Sequence, residues 1–220
     1  MSEIILSESS AIRIGCLSGP NLAGELADGQ PAATVIASRF DQVIKWGKAC
    51  LRSETFRVYE SYDLIGVELA GVLKNVLAIA SGILHGLGLG ENAKAMLITR
   101  GLTEMVKLGK ALGAESDAFF GIAGIGDLIA TCSSTKSRNF TVGFKLAKGA
   151  SLDEILKEMS EVAEGVYTCK IAYLLSEYYK LETPIIKTLF QLIHQKRSLA
   201  ESMQFLLTHH MDQDIEYHKL

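Results

Sequence analysis

The spacing of hydrophobic positions changes near residue 66. Before it, short apolar runs recur. Residues 11–17 (AIRIGCL) and 33–38 (ATVIAS) are rich in β-branched side chains, and 56–60 (FRVYE) alternates apolar with polar. The first run ends at Ser18-Gly19-Pro20 and the second follows Gly29 and Pro31, so all three read as strands. Residues 21–27 and 41–51 between them carry helical spacing, the second with Asp41 as its N-cap. The order β-α-β-α-β is the repeat of a parallel α/β sheet, of which three strands are only a part.

After residue 66 the strand pattern is gone. Residues 67–84 are apolar on nearly every side, as in a helix buried at the centre of a bundle. The joint Gly86-Leu87-Gly88-Leu89-Gly90 ends it, and residues 92–112 form a long amphipathic stretch closed by Gly113. Ser151 with Glu154, and Ser198 with Glu201, match the capping box that opens a helix. Pro184 after Thr183 suits the first turn of another. About seven helices are expected here. The fold class is therefore mainly α: an all-α domain over residues 67–220, preceded by a partial α/β sheet over residues 1–66.

Composition adds exclusions rather than detail. Of 220 residues, 48% are hydrophobic and 21% charged, with 20 glycines and 3 prolines, which excludes a disordered or collagenous chain. A net charge of -3 gives no footprint for nucleic acid. The four cysteines (Cys16, Cys50, Cys132, Cys169) form no CxxC pair, which argues for a reducing compartment without disulfides or zinc. The opening MSEIILSESS lacks the basic region of a signal peptide. Residues 67–83 contain Glu68 and Lys74 and fall short of an uninterrupted membrane span. The expectation is a cytoplasmic protein without membrane insertion.

Chemistry concentrates in two segments. Lys74 and Asn75 interrupt the apolar VELAGVLKNVLAIA. A buried lysine needs compensation and has its pKa pushed down, making it a proton donor or acceptor near neutrality. A lysine snorkelling from a helix edge is the plainer alternative. Downstream, Asp127 and Thr131 share a helical face after the glycines of GIAGIG, although Asp127 could equally cap that helix. Ser137-Arg138-Asn139, beside Lys136, is either a phosphate cradle at a helix start or a solvated basic turn. Gly88-Leu89-Gly90-Glu91-Asn92-Ala93 imitates a dinucleotide fingerprint. Helix rather than strand precedes it, so it is rejected as a cofactor loop. His85, His209, His210 and His218 show no metal-ligand spacing, and no metal is expected.

Taken in order, SGPNLAGELADG, VELAGVLKNVLAIASGILHGLGLGENAKAMLITRGLTEM, GIAGIGDLIATCSSTKSRN and EVAEGV resemble the C-terminal two-thirds of the bacterial NAD(P)-dependent glycerol-3-phosphate dehydrogenase family, over residues 18–205. The resemblance implies NAD or NADP as cofactor and dihydroxyacetone phosphate or glycerol 3-phosphate as substrate, and it favours a homodimer. Lys74 matches the general acid, with Asn75 beside it. Gly19, Asn21, Asp127, Ser137, Arg138 and Asn139 match substrate contacts, Asn21 standing where Ser or Thr is usual. Thr131 joins them through its shared face with Asp127. Ala23, Arg138, Val162 and Glu164 match cofactor contacts.

The family's glycine-rich loop and a second lysine have no counterpart here, since both belong upstream of Met1. The expectation is that this chain turns over no substrate by itself and leaves an unpaired strand edge. The alternative function is a non-catalytic helical module that binds a phosphorylated ligand or a partner subunit.

Overall fold

The computed structural model describes residues 1–159 and 161–208. A short helix, α1 (Ser2–Glu8), is tethered by Ser2, whose amide and hydroxyl donate to the Glu68 carboxylate at 2.9 and 2.6 Å. Strands β1 (Cys16–Ser18), β2 (Ala32–Ala37) and β3 (Phe56–Ser61) form one sheet in the order β1-β2-β3. Helix α3 (Asp41–Leu51) makes the crossover between β2 and β3, which pair in parallel with Ala32 opposite Phe56 and Ala37 opposite Ser61.

The expected parallel order fails at β1. It pairs antiparallel to β2, with Cys16 opposite Ala37 and Ser18 opposite Val35. The connection, residues 19–31, carries one short turn of helix, α2 (Ala23–Ala27), and the chain folds back along β2. The first strand is also shorter than the apolar run implied: residues 11–15 stay outside it, Ile12 is exposed, and Ile14 packs with Val35, Ala37 and Val67. Asp41 is the first helical residue and not the cap, a position held by Phe40; its carboxylate instead accepts from the Tyr62 hydroxyl at 2.9 Å.

Helix α4 (Leu64–Gly86) is the axis of everything that follows. Asp63 starts it, one carboxylate oxygen accepting from the Gly66 amide and the other from the Glu115 amide, both at 2.8 Å. By length and composition α4 could cross a membrane, but most of it is buried among its neighbours, the situation of a core helix. Around it pack α5 (Glu91–Ala111), α7 (Asp127–Ser133), α8 (Arg138–Ala147) and α10 (Glu164–Tyr178). The outer elements are α6 (Asp117–Phe120), α9 (Leu152–Glu158), α11 (Pro184–His194) and α12 (Leu199–Thr208). Among the described residues this makes nine α-helices from Leu64 onward, more than the pattern suggested. The excess comes from α6 and from the glycine-rich segment, where a π-turn over Ile122–Gly126 delivers the chain into α7.

Leu77, Ile79, Met105, Leu108 and Phe119 are almost completely buried and mark the core. The closest contact joins α4 to α8. A methyl group at Gly82 would overlap the Phe140 carbonyl, and one at Gly143 would overlap the Ile79 carbonyl, so only glycine lets these backbones touch. That contact sets the start of α8 beside the middle of α4. Both capping boxes form as expected, and Pro184 is in the first turn of α11. Helix, not strand, precedes Gly88, in keeping with the rejection of that loop as a cofactor site.

Candidate active site

Lys74 lies midway along α4 between the buried Leu73 and Val76. Its ammonium donates to Asp127 Oδ2 at 2.5 Å, and its side chain is 17% exposed against 4% for Asp127. The snorkelling alternative is therefore not what the side chain does. Asp127 is the first residue of α7, and Gly126 holds the cap position without a side-chain bond. The capping role offered for Asp127 gives way to the ion pair. The face shared with Thr131 does form: the Thr131 hydroxyl donates to Asp127 Oδ1 at 3.2 Å. Burial pushes the Asp127 carboxyl above the ordinary aspartate range. The Lys74 charge, the Lys74 and Thr131 hydrogen bonds and the Gly19 backbone amide all pull it back down. Gly19, Lys74, Asp127 and Thr131 are thus one cluster assembled from β1's exit, α4 and α7.

A second cluster adjoins it through Asn75. Asn139, buried near the start of α8, accepts from the Gly165 amide through Oδ1 at 3.0 Å. A Cβ at Gly165 would lie 2.6 Å from the Asn75 carbonyl and 2.8 Å from Asn139 Oδ1. Glycine there is what lets α10 begin against α4, and its amide fixes the Asn139 carboxamide so that the NH2 is the donor end. Ser137 caps α8, its hydroxyl accepting from the Phe140 amide at 3.4 Å. Arg138, half exposed, pairs with Glu161 at 3.0 Å.

The cofactor candidates are more open. Ala23, Val162 and Glu164 are exposed, and among the described residues none of them bonds to the Lys74–Asp127 pair. A Cβ at Gly24, next to Ala23, would come within 3.8 Å of Lys136 Nζ, which sets α2 near the turn before α8. Asn21 donates to the Thr34 hydroxyl at 2.9 Å, and that hydroxyl donates on to the Ser18 carbonyl at 3.1 Å. Because the one Thr34 proton is committed, the Asn21 amide cannot be turned round, and its buried Oδ1 has no partner among the described residues.

Gly165, through Asn139, and Glu161, through Arg138, help hold the site without standing out as candidates in the sequence, whereas Lys136 is noted there beside Ser137-Arg138-Asn139. The run EVAEGV carried the only signal for Gly165. Of the histidines, His85 is exposed at the end of α4, and His209, His210 and His218 lie outside the described residues. Among the described residues no group of three His, Cys, Asp or Glu is placed to hold a metal.

Comparison with known proteins agrees across the chain. The family model for the NAD-dependent glycerol-3-phosphate dehydrogenase C-terminus matches residues 63–204, and that for its N-terminus matches residues 1–44. A glycerol-3-phosphate dehydrogenase [NAD(P)+] of Ectopseudomonas mendocina is 47% identical over 217 residues, covering 99% of this chain and 64% of that protein. One from Staphylococcus saprophyticus is 45% identical, covering 94% of this chain and 62% of that protein. The crystal structure of the Coxiella burnetii glycerol-3-phosphate dehydrogenase superposes with a TM-score of 0.90 at 38% identity, covering 94% of this chain and 64% of that one. The chain thus spans just under two thirds of the length of the curated relatives it matches.

Proposed function

The chain belongs to the NAD-dependent glycerol-3-phosphate dehydrogenase family, and we propose that Lys74 and Asp127 are the proton-donating pair of an enzyme interconverting dihydroxyacetone phosphate and sn-glycerol 3-phosphate. The observation that carries this reading is an ammonium held at 2.5 Å from a carboxylate within an otherwise apolar helix packing. Reduction of a ketone builds negative charge on its oxygen. An ammonium next to that oxygen both stabilises the charge and gives up the proton. Asp127 holds the Lys74 side chain in place, while Thr131 and the Gly19 amide hold Asp127. Gly19, Asn21 and Asn75 complete the contacts around the reacting carbon.

The phosphate belongs at the start of α8. There Ser137, Arg138 and the donor end of Asn139 combine a guanidinium, side-chain donors and a helix N-terminus. Anchoring the phosphate fixes the carbonyl against Lys74, so binding energy remote from the reacting atom is used for orientation. NAD or NADP supplies the hydride when bound. Ala23, Arg138, Val162 and Glu164 are the residues of this chain that would hold it, and their exposure beside the start of α8 fits a large ligand lying across that surface. In this reading residues 1–66 serve the nucleotide and residues 67–220 the substrate. The protein is a cytoplasmic homodimer whose product feeds glycerophospholipid synthesis.

Calorimetry with glycerol 3-phosphate tests the phosphate site in the chain as it stands. Heat is expected from the wild type and none from Arg138→Ala; equal heats remove the role of Arg138. For the proton donor, NADH consumption with dihydroxyacetone phosphate is followed in a protein that carries the glycine-rich loop ahead of this chain. Lys74→Ala should cost roughly 10²–10⁴-fold in turnover, and unchanged turnover sinks the assignment.

A further inference from the structure

Strand β3 has a partner on one side only. The Ala32 amide donates to the Thr55 carbonyl at 2.8 Å and the Ser38 amide to the Ser61 carbonyl at 3.1 Å. In a parallel ladder that register turns the backbone groups of Arg57, Tyr59 and Ser61 towards β2 and leaves those of Phe56, Val58 and Glu60 facing out. Phe56 is closed off locally: its amide donates to the Ser53 hydroxyl and its carbonyl accepts from the Ser53 amide, both at 3.0 Å. Among the described residues nothing bonds to the outward amides and carbonyls of Val58 and Glu60. Natural sheets often blunt such an edge with a proline or a bulge. β3 has neither, and Glu60 turns its side chain to Lys48 on α3 at 2.7 Å.

Beside this edge, on the face of the sheet away from α3, runs a groove of about 440 Å³. Tyr59 and Tyr62, 48% and 61% exposed, line one side, and α6 with the π-turn lines the other. Glu115 and Asp117 stand on that second side, exposed, their carboxylates bonded to nothing among the described residues. Asp63 adds a third negative charge. Among the described residues no lysine or arginine lines the groove; Arg57, on the same face of β3, lines a separate cavity with Glu25 and Glu54.

An extended chain added at this edge sends its side chains alternately to the two faces, so every second one reaches the groove. Lysine or arginine suits those positions. Their charged ends meet Glu115 and Asp117, and their stems lie along the Tyr59 and Tyr62 rings. The β3 of a second copy would bring the same carboxylates from both sides and is opposed by like charge. Residues 209–220 carry Asp212, Asp214 and Glu216 against Lys219 alone and are opposed likewise. We propose that β3 is the docking edge for an extended basic segment of a partner protein, which adds to the sheet as a further strand. Main-chain bonds to Val58 and Glu60 supply affinity, and the groove selects the alternate basic side chains. None of this draws on the catalytic reading, and neither stands or falls with the other.

Fluorescence anisotropy of a labelled peptide of alternating lysine and valine, titrated with the full 220-residue chain, tests it. Binding is expected, and it should weaken as salt is raised. Glu115→Lys combined with Asp117→Lys should weaken it about tenfold and bind a peptide of alternating glutamate and valine instead. Glu60→Pro removes only an outward amide and should also cost about tenfold, with an unchanged far-UV spectrum. Glu60→Gln keeps that amide and should bind as the wild type does. Methylating every second peptide amide should abolish binding in one register and spare it in the other, because only one edge of an added strand pairs with β3. Absence of binding at millimolar peptide overturns the proposal, as does binding indifferent to the charge reversals or equal loss from both methylated peptides. A chain that self-associates until the peptide is added also overturns it, since a second copy would then occupy β3. So does binding that appears only in a chain ending at Thr208, or that is lost in the protein carrying the glycine-rich loop, because a segment of the protein's own chain would then be the occupant.

Discussion

Two buried carboxylates in this molecule are solved in opposite ways. Asp127, between α4 and α7, faces one mobile ammonium, that of Lys74, with a threonine hydroxyl on its other oxygen. Glu104, on α5, faces fixed backbone: its two oxygens accept from the Ile185 and Ile186 amides at 2.7 and 3.0 Å. Those amides belong to the first turn of α11, where no helical carbonyl can reach them. Burial pushes both carboxyls up, Glu104 to about 8. The difference lies in what can change. A carboxyl locked onto the two amides of a helix start ties two elements together, with the Lys107 charge acting on it as well. A carboxylate holding a lysine leaves that lysine able to give its proton away.

The sharpest way to break this comparison is to remove the structural member. Glu104→Ala leaves two buried amides without acceptors and should cost about 2–6 kcal/mol, at 1–3 for each orphaned donor. Urea unfolding measures it. Asp127→Asn should behave otherwise. It leaves the Lys74 ammonium without its counter-charge, a loss of about 3–5 kcal/mol in a fully buried pair. The retained amide oxygen and the partial exposure of Lys74 lessen that loss, so stability should fall by less than for Glu104→Ala while turnover in the loop-bearing protein collapses. If Asp127→Asn unfolds the chain as readily as Glu104→Ala, the two sites do the same work and the distinction fails.

Only one of these sites was legible in the sequence, for a physical reason. Asp127 and Thr131 are four apart on one helix, and Lys74 interrupts an apolar run, so each left a local trace. The partner of Glu104 is 81 residues away, and nothing in GLTEMVKLGK announces it. The same contrast holds for the fold. The capping boxes at Ser151 and Ser198 and the proline at 184 are local chemistry and could be read directly. The direction of β1 is set by its pairing with β2, a contact between segments some twenty residues apart that no local pattern announces. Asp127 itself was ambiguous because a first-turn aspartate can cap or reach elsewhere, and only the packing of α4 against α7 decides. The approach of Gly165 to Asn75 and Asn139 depends on three helices meeting.

A smaller effect separates the sites by pH. With Glu104 raised from 4.5 to about 8, the folded chain keeps a proton that the unfolded chain has already lost between those values. Stability should therefore be full below about pH 4.5 and decline as pH rises through 8. Asp127 is shifted in the same direction and adds to the decline from its own lower starting point. Urea midpoints from pH 5 to 9 should fall for the wild type and fall less for Glu104→Gln. A flat wild-type profile would mean that the two amides and Lys107 outweigh burial, leaving Glu104 ionised throughout.

The smallest expected effect tests whether Thr131 belongs to the chemistry or only to the packing. Its hydroxyl occupies Asp127 Oδ1, the oxygen that Lys74 does not use. Thr131→Val keeps the shape and removes that donor, at a cost of about 1 kcal/mol or less in stability. With one donor gone, the Asp127 carboxyl should move further up, because burial is the larger influence and Thr131 is among those opposing it. The pH dependence of turnover in the loop-bearing protein should then shift upward on its acidic limb, and Thr131→Ser should restore it. A packing role alone would lower the urea midpoint and leave the pH profile where it was, since a methyl group in place of a hydroxyl changes the carboxylate's company only if the hydroxyl was bonded to it.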